Sequence, residues 1–369
     1  MSENLSAHVD RLFEPLQLGT LTLSNRITMA PLTRSRAGRD GVPSQLHVDY
    51  YSQRASAGLI VTEGTFPAAT ARSFPGQAGI ETPEQVAAWK RVTDAIHPQG
   101  GTVFMQIMHP GRQTHAELQE GNKPEAPSAI APGTAVRNWT ERKDCPTPRA
   151  LDNADIARVI DQFRTAGRNA IEAGMDGVEL HSANGYLLHQ FLAPNSNQRT
   201  DDYGGSPAGR YRIVVDTLRA LATEIGGERV GVRLSPQSGA GGTLEPDLAD
   251  VRATYGGLLD AVADLNLAYV SFLYAEPNSP LMAELSAKAR ANGHTRVIMN
   301  SGFHTVTQRD DAVEQISLDY VDALAVGRNF ISNPDLVRRW RKNADLNVPD
   351  QSTFYTSGER GYTDYPTLD

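Results

Sequence analysis

The chain has 369 residues, a net charge of −8 and a pI near 5.6, with 40% hydrophobic and 21% charged residues. That composition suits a folded globular protein, and its acidic balance leaves no broad attraction to nucleic acid or to an anionic membrane. A single cysteine, Cys145, excludes an internal disulfide and fits a reducing compartment. It has no evident activating partner in the sequence, so it is not read as a nucleophile. No apolar run approaches the ~20 residues that span a bilayer. Met1 to Asp10 lack the basic-then-apolar order of a signal peptide. The expectation is a cytoplasmic protein, monomer or homodimer, with no nucleic-acid or membrane partner.

In chain order, Leu16 to Leu23 alternates about a Gly19-Thr20 turn and predicts a hairpin, placed at the bottom of the fold that follows. Eight short β-branched runs come next: Arg26–Met29, Leu59–Thr62, Thr102–Ile107, Gly177–Leu180, Val230–Leu234, Ala268–Phe272, Arg296–Met299 and Ala323–Val326. Several are apolar throughout, as in strands buried on both faces of a parallel sheet. Helices are predicted over Pro83–Ile96, Asn153–Ala173, Pro207–Glu224, Pro246–Leu265, Pro280–Ala291, Thr305–Glu314 and Pro334–Arg341. Pro207, Pro246 and Pro334 are read at first helical positions, where a proline loses no hydrogen bond. Gly100, Gly174 and Gly226 mark helix ends.

Residues 108 to about 150, rich in proline, glycine and polar groups, read as an excursion after the third strand. Two basic clusters, Arg34 to Arg39 and Arg338 to Lys342, read as a loop feature and a solvated helix end. The alternation predicts a single-domain (β/α)8 TIM barrel over residues 1–369, with the barrel at about 24–345 and a C-terminal loop and tail over 346–369.

In such barrels the chemistry lies at the C-terminal ends of the strands. Here those ends carry Ala30-Pro31-Leu32-Thr33, Glu63-Gly64, Gln106, His181 with Asn184 and Tyr186, Arg233, Ser301-Gly302 and Gly327-Arg328. Glycines leading into helix starts after the last two strands let backbone N–H groups close on a phosphate, with Arg328 adding a guanidinium; alternatively they only turn the chain. His181 and Asn184 can donate to one incoming oxygen, and Tyr186 offers a proton at neutral pH; the alternative is a capped turn with a space-filling tyrosine. A metal at His181 and His189 lacks a third ligand, so no metal is expected.

At these residues the sequence resembles the Old Yellow Enzyme family of FMN-dependent ene-reductases. The resemblance rests on Leu12-Phe-Glu-Pro-Leu-Gln-Leu-Gly19, Asn25-Arg-Ile-Thr-Met-Ala-Pro-Leu-Thr-Arg34, the His181 to Leu192 segment, Asn197 to Ser206 and Val326-Gly-Arg328, and runs from Leu12 to about Pro366. It implies that Ala30 to Thr33 run along a tightly bound FMN, with Thr33 near N5. Gly64 and Gln106 would meet the pyrimidine end of the ring, and Arg233 would sit near N1. Ser301, Gly302, Gly327 and Arg328 would hold the phosphate, and His181 would border both cofactor and substrate.

The implied reaction is ping-pong. NADPH or NADH reduces the flavin, and an activated alkene (enone, enal, maleimide or nitroalkene) then accepts hydride at its β-carbon. Its carbonyl or nitro oxygen would be bound by His181 and Asn184, and Tyr186 would protonate the α-carbon. Thr33, Phe74, Met108 and Tyr355 would border the substrate, although Met108 can equally be core packing. Nitrate ester or nitroaromatic reduction is an alternative on the same scaffold. A non-redox, phosphate-binding lyase or isomerase is a second, but no lysine stands at a strand end for Schiff-base chemistry.

Overall fold

The computed structural model describes residues 8–368; Met1 to Ala7, most of the segment read for a signal peptide, lie outside it. Eight parallel strands close into a barrel: β3 (Ile27–Met29), β4 (Leu59–Val61), β5 (Val103–Ile107), β10 (Gly177–Ser182), β11 (Val230–Leu234), β12 (Tyr269–Leu273), β13 (Arg296–Asn300) and β14 (Ala323–Val326). All eight coincide with the predicted runs to within two residues at either end.

Each strand is buried on both faces, and the two faces do different jobs. Residues such as Ile27, Ile60, Val103, Met105, Val178, Leu180, Val230, Val232, Val297 and Val326 point outward into the main core shared with the helices. Their alternating neighbours point inward: Leu59, Val61, Phe104, Tyr269, Ile298 and Ala323 form a separate cluster inside the barrel. The hairpin, β1 (Leu16–Leu18) with β2 (Leu21–Leu23), contributes Leu16, Leu18 and Leu23 to that inner cluster. The barrel floor is therefore closed by apolar side chains. Moving up the same inward-facing rows, the residues become polar: Gln106, Glu179, His181, Arg233 and Asn300.

The helices surround the barrel. Pro207 does open its helix, Pro207–Ile225, capped by Ser206. Pro246 and Pro334 do not: each lies one residue before an N-cap, Asp247 and Asp335, and the helices start at Leu248 and Leu336. At Asp247 the carboxylate accepts from Ala249 N–H, which a proline-first start would have left without that cap. The helix after β13 begins at Arg309, later than predicted. Three short helices, Gln45–Ser52, Leu187–Leu192 and Arg328–Ser332, were not foreseen. The 108–150 excursion carries two small pairings, β6 (Glu125–Ala126) with β9 (Arg149–Ala150) and β7 (Ala135–Arg137) with β8 (Arg142–Asp144).

The first basic cluster does lie in a loop, with Arg34 and Arg36 buried, whereas the second is only in part a solvated helix end. Arg34 is fully buried, with Tyr50 Oη, Phe354 O and Gly361 O accepting its guanidinium N–H groups at 3.1, 3.2 and 2.7 Å. Arg36 donates to Thr353 O and Phe354 O at 2.8 and 2.9 Å. These arginines pin the C-terminal loop to the barrel mouth. In the second cluster Arg339 is buried, paired with Asp335 at 2.8 Å.

Candidate active site

Strand register brings the polar inward rows together. Gln106 stands opposite Glu179 across the β5–β10 pairing, and His181 stands opposite Arg233 across β10–β11. Above them lies a cavity of about 330 Å³. It is lined by Pro31, Leu32, Thr33, Gly64, Gln106 and Arg233 together with Met108, His181, Asn184 and Tyr186. A smaller space of about 90 Å³ continues from it between Ala30, Asn300, Gly302, Thr305 to Thr307, Gly327 and Arg328. The expected cofactor residues thus line one connected space, Ser301 excepted: its hydroxyl is engaged with Thr307 Oγ1 at 3.1 Å. Phe74 is half-buried outside both linings, so its expected place beside the substrate is not borne out. Tyr355 does line the cavity, from a 70% exposed position at the rim.

Electrostatics distinguish two groups within the lining. Arg233 is buried, and its Nε and Nη1 have no hydrogen-bond partner. A desolvated cation with unused donors, aimed into a cavity, suits an electron-rich oxygen or nitrogen of a bound group. Gln106 Nε2 donates to Glu179 Oε1 at 2.7 Å, which leaves the Gln106 oxygen free to accept from a ring N–H. Burial raises the Glu179 carboxyl above its ordinary range, against the pull of Arg233 and Gln106.

Beside Arg233, His181 Nδ1 accepts the Ala183 N–H at 3.3 Å, which places the imidazole proton on Nε2. Burial, with Arg233 nearby, holds the His181 pKa down at about 3, so it is a neutral donor. Asn184 Oδ1 has no partner. The Tyr186 ring meets the His181 ring edge-on, centroids 5.0 Å apart, and burial raises its phenol to about 12.

In the narrower space, Gly302 adopts φ +87°, a conformation open to glycine and strained for other residues. It does not lead into a helix directly, since the next one starts at Arg309; Gly327, by contrast, is the N-cap of Arg328–Ser332. Arg328 Nη2 donates to Phe303 O.

Sequence reasoning missed Phe303, Ile331 and Phe354 in the lining, and Glu179 beneath it. The first three are apolar residues with no local signature. Glu179 was accessible, being two residues before His181 and so on the same strand face. No lysine lines either space. Among the described residues no cluster of His, Cys, Asp and Glu is placed to hold a metal, and no helix is long and apolar enough to cross a membrane. Cys145 is buried, and burial raises its thiol pKa, as suits an unreactive side chain.

Fold and site together define a (β/α)8 barrel with a connected, polar-lined space at its mouth. Residues 11–347 match the sequence profile of the NADH:flavin oxidoreductase / NADH oxidase family, and the chain belongs to that family. A probable flavin mononucleotide-dependent alkene reductase of Leishmania infantum is 39% identical, the match covering 98% of this chain and 99% of that protein. The solved Old Yellow Enzyme homologue of Zymomonas mobilis superposes with a TM-score of 0.90 at 36% identity, over 97% of this chain and 99% of that one. Morphinone reductase, solved in complex with tetrahydroNAD, gives 0.89 at 40% identity, over 97% and 98%.

Proposed function

We propose that this protein reduces activated carbon–carbon double bonds, taking electrons from NADPH or NADH through FMN. The observation that carries the reading is the presence, in one cavity, of a buried cation with unused donors and a His–Asn–Tyr set whose His and Tyr are held in neutral form. Relatives named for alkene reduction and a neighbour solved with a nicotinamide analogue support it.

The lining fits FMN chemically. The Gln106 oxygen would accept from the ring imide N–H, and Arg233 would favour the electron-rich side of the ring. Leu32 and Thr33 would border its edge, and Gly302, Gly327 and Arg328 would hold the phosphate. Ser301 would contribute through its backbone, since its hydroxyl is engaged with Thr307. When bound, FMN would supply two-electron hydride chemistry between the nicotinamide and the alkene β-carbon, at the end of the cavity bordered by Leu32 and Thr33.

The chain's own groups do the rest. His181 Nε2–H and the Asn184 amide would bind the substrate's carbonyl or nitro oxygen and stabilise the negative charge that develops there. Tyr186 would keep its proton until the α-carbon needs it. Met108, with Phe354 and Tyr355, would shape the substrate end. The single buried cysteine suits a cytoplasmic setting. Anaerobic addition of NADPH or NADH should bleach the flavin absorbance, and 2-cyclohexenone should restore it. Bleaching without reoxidation by any enone, enal, maleimide or nitroalkene would refute the alkene assignment.

A further inference from the structure

The turn that carries Asn184 is held from beneath by a second histidine. Asn184 (φ +58°) and Gly185 (φ +76°) are consecutive left-handed residues, a conformation that persists only where its surroundings enforce it. A Cβ at position 185 would stand 2.3 Å from Ala240 O, so the backbone there is closely enclosed. Three side chains hold the turn. Asn184 N–H donates to Ser235 Oγ at 2.7 Å, Gln190 Nε2 donates to Gly185 O at 2.7 Å, and Gly185 N–H donates to His189 Nδ1 at 2.9 Å.

The far side of that imidazole meets a carboxylate. His189 Nε2 is 3.2 Å from Glu245 Oε2, which also accepts Gln237 N–H at 2.7 Å, while Glu245 Oε1 accepts Tyr255 Oη–H at 2.8 Å. All three side chains, His189, Glu245 and Tyr255, are buried. With Nδ1 committed as an acceptor, the ring proton belongs on Nε2, directed at Glu245. The carboxylate thereby selects the tautomer that can receive the Gly185 N–H.

We infer that His189, oriented by Glu245, is a positioning residue that locks the Asn184–Gly185 turn, so that the Asn184 amide and the adjacent Tyr186 face the cavity in fixed relation to His181. The inference rests on the proposed role of His181 and Asn184 as the oxygen clamp. It requires an acceptor at the Nδ1 position, whereas packing alone would require only bulk there.

His189→Leu removes the acceptor while keeping an apolar side chain of similar reach; His189→Asn places an amide oxygen close to where Nδ1 lies. The assay uses FMN-loaded protein titrated with p-chlorophenol, followed by the long-wavelength charge-transfer band of a phenolate over oxidised flavin. Leaving the buried Gly185 N–H unpaired should raise the phenol Kd about tenfold in His189→Leu, with a parallel rise in enone KM, while His189→Asn should stay within about threefold of wild type. FMN affinity should be the same in all three. Equal phenol Kd values for wild type, His189→Leu and His189→Asn would overturn the inference while leaving the clamp reading intact; a wild-type protein with no phenol band would overturn both. Should His189→Leu fail to fold, Glu245→Met, which removes the acceptor facing His189 Nε2, gives the same decision: phenol binding weakened at unchanged FMN affinity supports the inference, and unchanged phenol binding overturns it.

Discussion

Replacing Tyr186 by phenylalanine isolates one hydroxyl. The ring that meets His181 edge-on at 5.0 Å remains, so the wall of the cavity keeps its shape. What goes is a phenol whose proton burial holds to about pH 12. Loss of a positioned general acid costs about 10²–10⁴ in rate, equivalent to roughly 3–5 kcal/mol in the barrier. Nothing in that role serves reduction of the flavin by nicotinamide. Stopped-flow absorbance reads the two half-reactions separately: Tyr186→Phe should slow reoxidation by 2-cyclohexenone to that extent and leave NADPH-driven bleaching within a few-fold of wild type. In the wild type, reoxidation should show no alkaline limb near pH 10, where an ordinary tyrosine titrates, because the neutral phenol persists to about 12. Equal losses in both half-reactions, or an alkaline limb near 10, would refute the proton-donor role.

The double variant His181→Ala, Asn184→Ala should abolish the phenol charge-transfer band at unchanged FMN content; a persisting band would refute the oxygen clamp. Arg34→Met should release Phe354 O and Gly361 O, loosening the loop behind Phe354 and Tyr355. Enone KM should rise with little change in the rate of flavin bleaching, and limited proteolysis should cut the C-terminal loop faster; resistance equal to wild type would count against the pinning. Burial raises the Glu63 carboxyl to about 7. Its contribution to stability is therefore present in full below about pH 4.5 and is lost as pH rises through 7, by about 3 kcal/mol for a shift of this size. Urea denaturation at pH 5 and pH 8 should show a loss in wild type that is absent from Glu63→Gln; parallel losses in both proteins would show that Glu63 does not titrate in this range.

Much of this architecture can be read from the amino-acid order, and the exceptions share a physical cause. A parallel barrel strand is buried on both faces, so its apolar run stands out from the polar loops on either side, and β3 to β14 of the barrel were legible for that reason. The helix Leu187–Leu192 is buried at every position, so its polar residues His189 and Gln190 mark no solvent-facing side that would reveal its period. Polar residues at strand ends announced the cavity, because a polar group at the top of an apolar row needs a reason to be there. Phe303 and Phe354 gave no such signal, since an aromatic residue in a loop reads the same whether it lines a cavity or packs. That the Arg34 loop ties down the C-terminal segment was not legible, because Phe354 O and Gly361 O lie more than three hundred residues away in sequence and local charge says nothing about distant carbonyls.

In the proposed reaction a phosphorylated isoalloxazine would be held across the barrel mouth by Arg233 and the Gly327–Arg328 turn. The most direct test of that arrangement is flavin content: protein purified with saturating FMN and then desalted should retain close to one FMN per chain, and Arg233→Met with Arg328→Met should retain far less. A wild-type chain that emerges colourless and cannot be loaded with FMN would contradict the account.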